Sequence, residues 1–237
     1  MVPHLFTRLL LVYAICCLLC PWAYASSAAT EKTTTLIVMD ASPAMSSRMG
    51  NSTRLNQLTA AVQKFLSLAN NPSEIELMTY GYRPKSACSD LTFDGPIRLD
   101  SKNLLDAQLQ CVTPDEKLPL DLLIAPQLKR LSDTGKIGKV VILTGGDEVF
   151  NADPCEQSVE MDNAENRSVE LHVIELGADK NNKSAKQLKC LADSHGGNYQ
   201  YAEDAETLWS SLFGFMQIES RGLTSFKAAF EQGQALA

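Results

Sequence analysis

The feature that most constrains this chain is the recurrence of near-continuous apolar runs of strand length, separated by segments of helical period. The runs "TTLIVMD" (34–40) and "KVVILT" (139–144) are apolar at successive positions rather than alternate ones. A strand with that pattern must be covered on both faces, as a central strand of a parallel sheet is. Between such runs, "RLNQLTAAVQKFLSLA" (54–69) sets Leu55, Leu58, Ala61, Val62, Phe65, Leu66 and Ala69 along one helical stripe. Further strands are expected at 74–82, near 96–99, at 169–176 and at 197–202. Further helices are expected over 101–111 with Ser101 as N-cap, over 119–131 with a kink or break at Pro126, from 153 to 161, over 183–194 and over 205–217. Strands alternating with helices predict an α/β fold: one domain over 34–218, a doubly wound, mostly parallel central sheet with helices on both faces.

The ends of the chain read differently. Arg8 precedes the apolar run "LLLVYAICCLLC" (9–20), and Ala23-Tyr24-Ala25 offers a small-x-small cleavage site. Residues 1–25 are therefore expected to be a secretory signal peptide, since a run of 12 apolar residues is short of the roughly 20 that span a bilayer. No membrane span is then expected after cleavage. Residues 26–33, "SSAATEKT", read as a flexible lead-in, and 219–237 as a tail or short helix. Export places the protein in the periplasm or outside the cell.

Beyond residue 25 the chain carries 20 basic and 28 acidic residues, a formal charge of −8, which argues against nucleic acid and anionic membrane surfaces as partners. It keeps four cysteines, Cys88, Cys111, Cys155 and Cys190. An even number in an exported chain predicts two disulfides with three possible connectivities, and spacings of 23, 44 and 35 residues lack the close pairs of a structural zinc site.

In an open α/β sheet, ligands bind beyond the carboxyl ends of the strands. "MDASPAM" (39–45) and "LTGGDE" (143–148) occupy two such ends, and Asp40 and Ser42 can present two oxygens from one turn. With these residues in view, the chain resembles the von Willebrand factor type A domain family, in its bacterial exported branch. "TLIVMDASPAM" is similar to that family's first strand and the start of its metal-ion-dependent adhesion site. "TRLNQLTAAV", "YGYRPKSACSD", "VVILTGGDE", "DPC", "QLKCLA" and "GGNYQYAEDAETL" match in order over about 34–214.

The resemblance implies a metal-ligand pattern that this chain keeps only at Asp40 and Ser42. The family's second serine is Ala44, its ligand threonine aligns with Leu118, and its distal aspartate with Gly145. Two expectations follow. In the first, the site is a remnant with no metal: Asp40 accepts backbone N–H groups of its turn and Ser42 helps to cap it. In the second, Asp147, Glu148 or Asp90 supplies replacement oxygens for Mg²⁺ or Ca²⁺. The family pattern also favours pairing Cys155 with Cys190 and Cys88 with Cys111, with crossed pairings open.

Catalytic arrangements are scarce. His172 shares the more polar face of its strand with Glu170 and reads as a surface or packing residue, His195 as a helix-end residue, and no nucleophile elbow or phosphate loop is present. The expected function is an exported, non-catalytic module that binds a protein partner. The alternatives are a scaffold component of an envelope assembly and a metal-dependent adhesin with a rearranged site.

Overall fold

A computed structural model describes residues 33–68, 75–84, 96–98, 111–115, 119–134, 138–156, 169–177 and 181–216. The chain divides into two units, Met1–Glu31 and Lys32–Ala237, and every described residue lies in the second. The expected signal segment, the lead-in up to Lys32, the helix over 101–110 and the 219–237 tail lie outside the described residues.

The central sheet has six strands: β1 (Thr34–Asp40), β4 (Ile75–Tyr80), β6 (Ile97–Arg98), β8 (Gly138–Thr144), β9 (Val169–Leu176) and β10 (Tyr199–Ala202). Their order is β10-β9-β8-β1-β4-β6, and all neighbours are parallel except β4 and β6. Two small antiparallel pairs stand apart from the sheet: β2 (Arg48–Met49) with β3 (Ser52–Thr53), and β5 (Tyr82–Pro84) with β7 (Val112–Pro114). Both pairs are additions to the sequence-based expectation. They are two or three residues long, too short to leave a hydrophobic period.

Among the described residues, four helices cover the sheet: α1 (Arg54–Leu68), α2 (Leu120–Ser132), α3 (Lys183–Ser194) and α4 (Ala205–Met216). The α1 stripe (Leu58, Val62, Phe65) and the α4 stripe (Leu208, Trp209, Leu212, Phe213) bury against Ile37, Met39, Leu77 and Val141 on one face. Leu120, Ile124 and Leu131 of α2, with Leu188 and Leu191 of α3, bury against Leu36, Val38, Val140 and Ile142 on the other. Odd and even positions of β1 thus feed different cores, which is why its sequence is apolar throughout. Each large side chain fully buried in this way contributes roughly 1.5–3 kcal/mol.

Local signals set the helix starts. Thr53 Oγ1 accepts the Asn56 amide, Asn182 Oδ1 accepts that of Ala185 at 2.7 Å, and Asp204 Oδ1 that of Thr207 at 2.8 Å. Two expectations are corrected. The strand expected over 74–82 divides at Gly81, whose φ of +71° turns the chain out of the sheet and into β5. The helix with Pro126 inside it runs unbroken from Leu120 to Ser132; Pro126 is on the exposed side, where the carbonyl that lost its N–H partner can be hydrated.

Candidate functional site

The strand order reverses at β1: β4 follows on one side, β8 on the other. In open α/β sheets ligands bind at such a switch point, above the carboxyl ends of the strands. Register places Asp40 opposite Tyr80 of β4, and Met39 opposite Leu143 of β8, so Asp40 ends between Tyr80 and Thr144.

Asp40 is fully buried. Its Oδ1 accepts the Ser42 amide at 2.7 Å, and its Oδ2 accepts the Gly145 amide at 3.2 Å and lies 3.3 Å from the Thr144 hydroxyl. A carboxylate has about four acceptor positions; two are filled by backbone amides, and a third faces the Thr144 hydroxyl, whose one proton Glu148 also draws on. Ser42 behaves otherwise than the sequence suggests. Its Oγ is buried without a hydrogen-bond partner and caps nothing, while its carbonyl accepts the Met45 amide at 2.9 Å to open a 3-10 turn over Pro43–Ser46. The turn packs beneath Gly81, where a Cβ would lie 2.8 Å from that of Ser42.

The loop after β8 carries two acids that part company. Gly146 and Asp147 both take left-handed backbone, φ +80° and +57°. Asp147 is exposed and accepts from Asn182 at 3.4 Å, whereas Glu148 is buried. Glu148 Oε1 accepts the Tyr80 hydroxyl at 2.9 Å and also that of Thr144, and its amide donates to Ser184 Oγ at the start of α3 at 2.7 Å. Thr144 therefore joins Asp40 and Glu148, and Tyr80 closes the group. Burial, and then the charges of Asp40 and Glu148, push the Tyr80 phenol well above its ordinary range, so it remains a donor.

Ala44 is half-buried in the 3-10 turn and offers no side-chain oxygen. A Cβ on Gly145 would stand 2.6 Å from Met45 Sδ and 3.6 Å from Arg54 Nη1, so the space a side chain at 145 would enter is filled. Arg54, the first residue of α1, donates to the Gly145 carbonyl at 3.0 Å and to that of Gly177, binding the ends of β8 and β9 together. Leu118 and Asp90 lie outside the described residues. Tyr80, Thr144, Ser184 and Arg54 belong to this region without having been singled out from the sequence. Thr144 alone left a trace, as the last residue of the apolar run before "GGDE".

Cys155 and Cys190 form a disulfide with Cα atoms 5.0 Å apart, tying the loop beyond β8 to α3. Cys111 is also disulfide-bonded; Cys88 lies outside the described residues. His172 is buried and accepts the Asn198 amide at Nδ1, and His195 Nδ1 lies 3.0 Å from the Leu191 carbonyl at the end of α3. The described part of this structure contains no helix long and apolar enough to cross a membrane.

No family model matches the sequence, and no curated protein matches it. Solved structures do match the fold. One is a von Willebrand factor type A protein from Catenulispora acidiphila (17% identity, TM-score 0.55, 81% of this chain and 43% of that one). Another is an aerotolerance-related membrane protein from Bacteroides fragilis NCTC 9343 (12%, TM-score 0.56, 78% and 100%). A third is the PilB minor pilin from Streptococcus sanguinis (12%, TM-score 0.55, 81% and 61%). The chain spans less than half the length of the first of these and less than two thirds of the third. It has the von Willebrand factor type A fold, an α/β domain with a central, largely parallel sheet.

That fold is associated with a divalent cation at the end of its first strand, and the described residues do not fit one. An octahedral cation needs several oxygens at about 2.1 Å. Asp40 is mostly engaged by N–H and O–H donors, Ala44 and Gly145 have no oxygen to give, and of the pair only Ser42 Oγ stands ready.

Proposed function

We propose that this chain is an exported, non-catalytic protein-binding module whose partner contacts do not depend on a divalent cation. The observation that carries the reading is the internal engagement of Asp40. A carboxylate that holds two backbone amides and faces the Thr144 hydroxyl organises this strand end from within the protein. The surface left for contact is the rim beside it. Leu122 and Val149 are the large apolar side chains most exposed among the described residues, at 57% and 47%. Both belong to one corner, where the Leu120 amide donates to the Val149 carbonyl at 2.8 Å. Exposed apolar side chains at a rim give a partner surface to bury.

The likeness to a minor pilin and to a membrane protein of bacteria supports export and protein contact. The engaged histidines and the Cys155–Cys190 bond support a non-catalytic role. A scaffold role in an envelope assembly draws on the same pilin likeness, and truncation after Ile218 would then abolish assembly.

The test has two parts. Thermal unfolding of residues 26–237 is expected to give one midpoint in EDTA and in millimolar Mg²⁺, Mn²⁺ or Ca²⁺, because a cation that binds only the native state must raise it. Partners captured by the wild type are expected to persist in EDTA and to be lost with Leu122→Asp and Val149→Asp. A midpoint raised by a cation, or partners released by EDTA, overturns the reading.

A further inference from the structure

The buried histidine, His172, sits on the face of β9 covered by α4, away from the Asp40 turn. Three parts of the chain meet there. Its Nδ1 accepts the Asn198 amide at 3.1 Å, from the segment that enters β10. Its ring stacks on Phe215 in the last turn of α4, centroids 4.6 Å apart and planes 22° from parallel. Its Nε2 lies 3.4 Å from Glu170 of its own strand. Beside it, Lys139 of β8 donates to the Phe215 carbonyl at 2.7 Å and stands 3.9 Å from Glu170.

We propose that His172 is an acid-sensitive latch that holds the entry to β10 and the last turn of α4 against β9, and that its protonation releases them. The argument is one of hydrogen positions. Since the Asn198 N–H points at Nδ1, the neutral ring carries its proton on Nε2, toward Glu170. A second proton must go to Nδ1. There it meets an N–H instead of a lone pair, and the Asn198 amide loses its acceptor at a part-buried contact. Turning the ring out of its plane would undo the stack on Phe215, and flipping it within that plane would bring a C–H rather than an acceptor to the amide.

The backbone around Asn198 cannot yield a little to accommodate this. Asn198 also accepts the Val173 amide at 2.9 Å, and a Cβ on the preceding Gly197 would fall 1.8 Å from the Leu171 carbonyl oxygen. With the chain this close to β9, it can give only outward, away from the strand.

Among the described residues, the charged groups facing the ring are Lys139 from β8 and Glu170 from β9; α4 presents the uncharged Phe215, and the entry to β10 the uncharged Asn198. Burial holds the imidazole below its ordinary value of about 6.5, Lys139 adds to that, and Glu170 opposes it. A lowered folded pKa means that the native contacts are at full strength above the unfolded value and are lost as pH falls toward and through the folded one. The latch is closed at neutral pH and opens in acid, a change an exported protein meets whenever its surroundings acidify.

The test is amide exchange at Asn198 in the folded protein between pH 7.5 and 4.5, corrected for intrinsic rates, with the His172 ring followed by NMR in the same samples. Opening is expected to rise by up to about tenfold per pH unit below about 6.5 and to level off beneath the folded pKa. In His172→Asn, whose Oδ1 is a non-titrating acceptor near the Nδ1 position, the exchange should be flat across the range. Protection that stays constant while His172 titrates overturns the proposal, as does an equal acid response in His172→Asn. Should that variant not fold, the wild-type comparison decides alone.

Discussion

Tyr80 and Glu148, 68 residues apart in sequence, are joined by a buried hydrogen bond of 2.9 Å from the phenol to a carboxylate oxygen. The bond ties the end of β4 to the loop after β8 across the switch point. Tyr80→Phe removes the donor and leaves the carboxylate one partner short. Bonds to charged groups are worth about 1.5–3 kcal/mol, and a loss in that range is expected in urea denaturation with an unchanged m-value. In the wild type, Tyr80 should be absent from the alkaline absorbance titration near pH 10 and ionise only as the protein unfolds, because its phenol is raised in the native state and that stability is lost as pH rises.

Asp40→Asn separates structural work from metal binding. The amide keeps one acceptor for Ser42 but turns an NH₂ group toward the Gly145 amide or the Thr144 hydroxyl. A loss of about 1–3 kcal/mol is expected, the same in EDTA as in millimolar Mg²⁺. A loss seen only with the cation present would return the metal to the site.

Arg54 holds the carbonyls of Gly145 and Gly177 with two nitrogens of one guanidinium. Arg54→Ala frees both carbonyls and should cost roughly 2 kcal/mol. Arg54→Lys should restore less than half of that, since one ammonium lacks the fork that spans two strand ends. Thermal or chemical denaturation of the two variants measures the ratio directly.

Gly197→Ala tests the closeness of the β10 entry to β9. A methyl group 1.8 Å from the Leu171 oxygen meets backbone rather than a side chain that can swing away. The expected loss is about 3 kcal/mol or more, at the upper end of overpacking effects. Ordinary stability in this variant would contradict the packing described for Asn198 and His172.

The sequence made the layered fold readable because its strongest signals are local. Continuous apolar runs gave β1 and β8, and the 3.6-residue stripe gave α1, since burial of a strand on two faces and of a helix on one leaves different periods. It also brought Asp40, Ser42 and "TGGDE" to one end of the sheet. It had no means to say which of two adjacent acids turns inward. Left-handed backbone at Gly146 and Asp147 decides that, sending Asp147 to solvent and Glu148 to Thr144 and Tyr80.

His172 shows the same limit. Alternation with Glu170 placed it on a polar face, and the last turn of α4 covers that face and buries it. What the sequence by itself determined is the order of elements and which faces must be covered, because both follow from the spacing of apolar residues along the chain. What only the tertiary structure decided is the partner of each polar group. Asp40 meets Thr144 from 104 residues away and His172 meets Asn198 from 26, and contacts of that kind are set by strand order and packing rather than by neighbours in sequence.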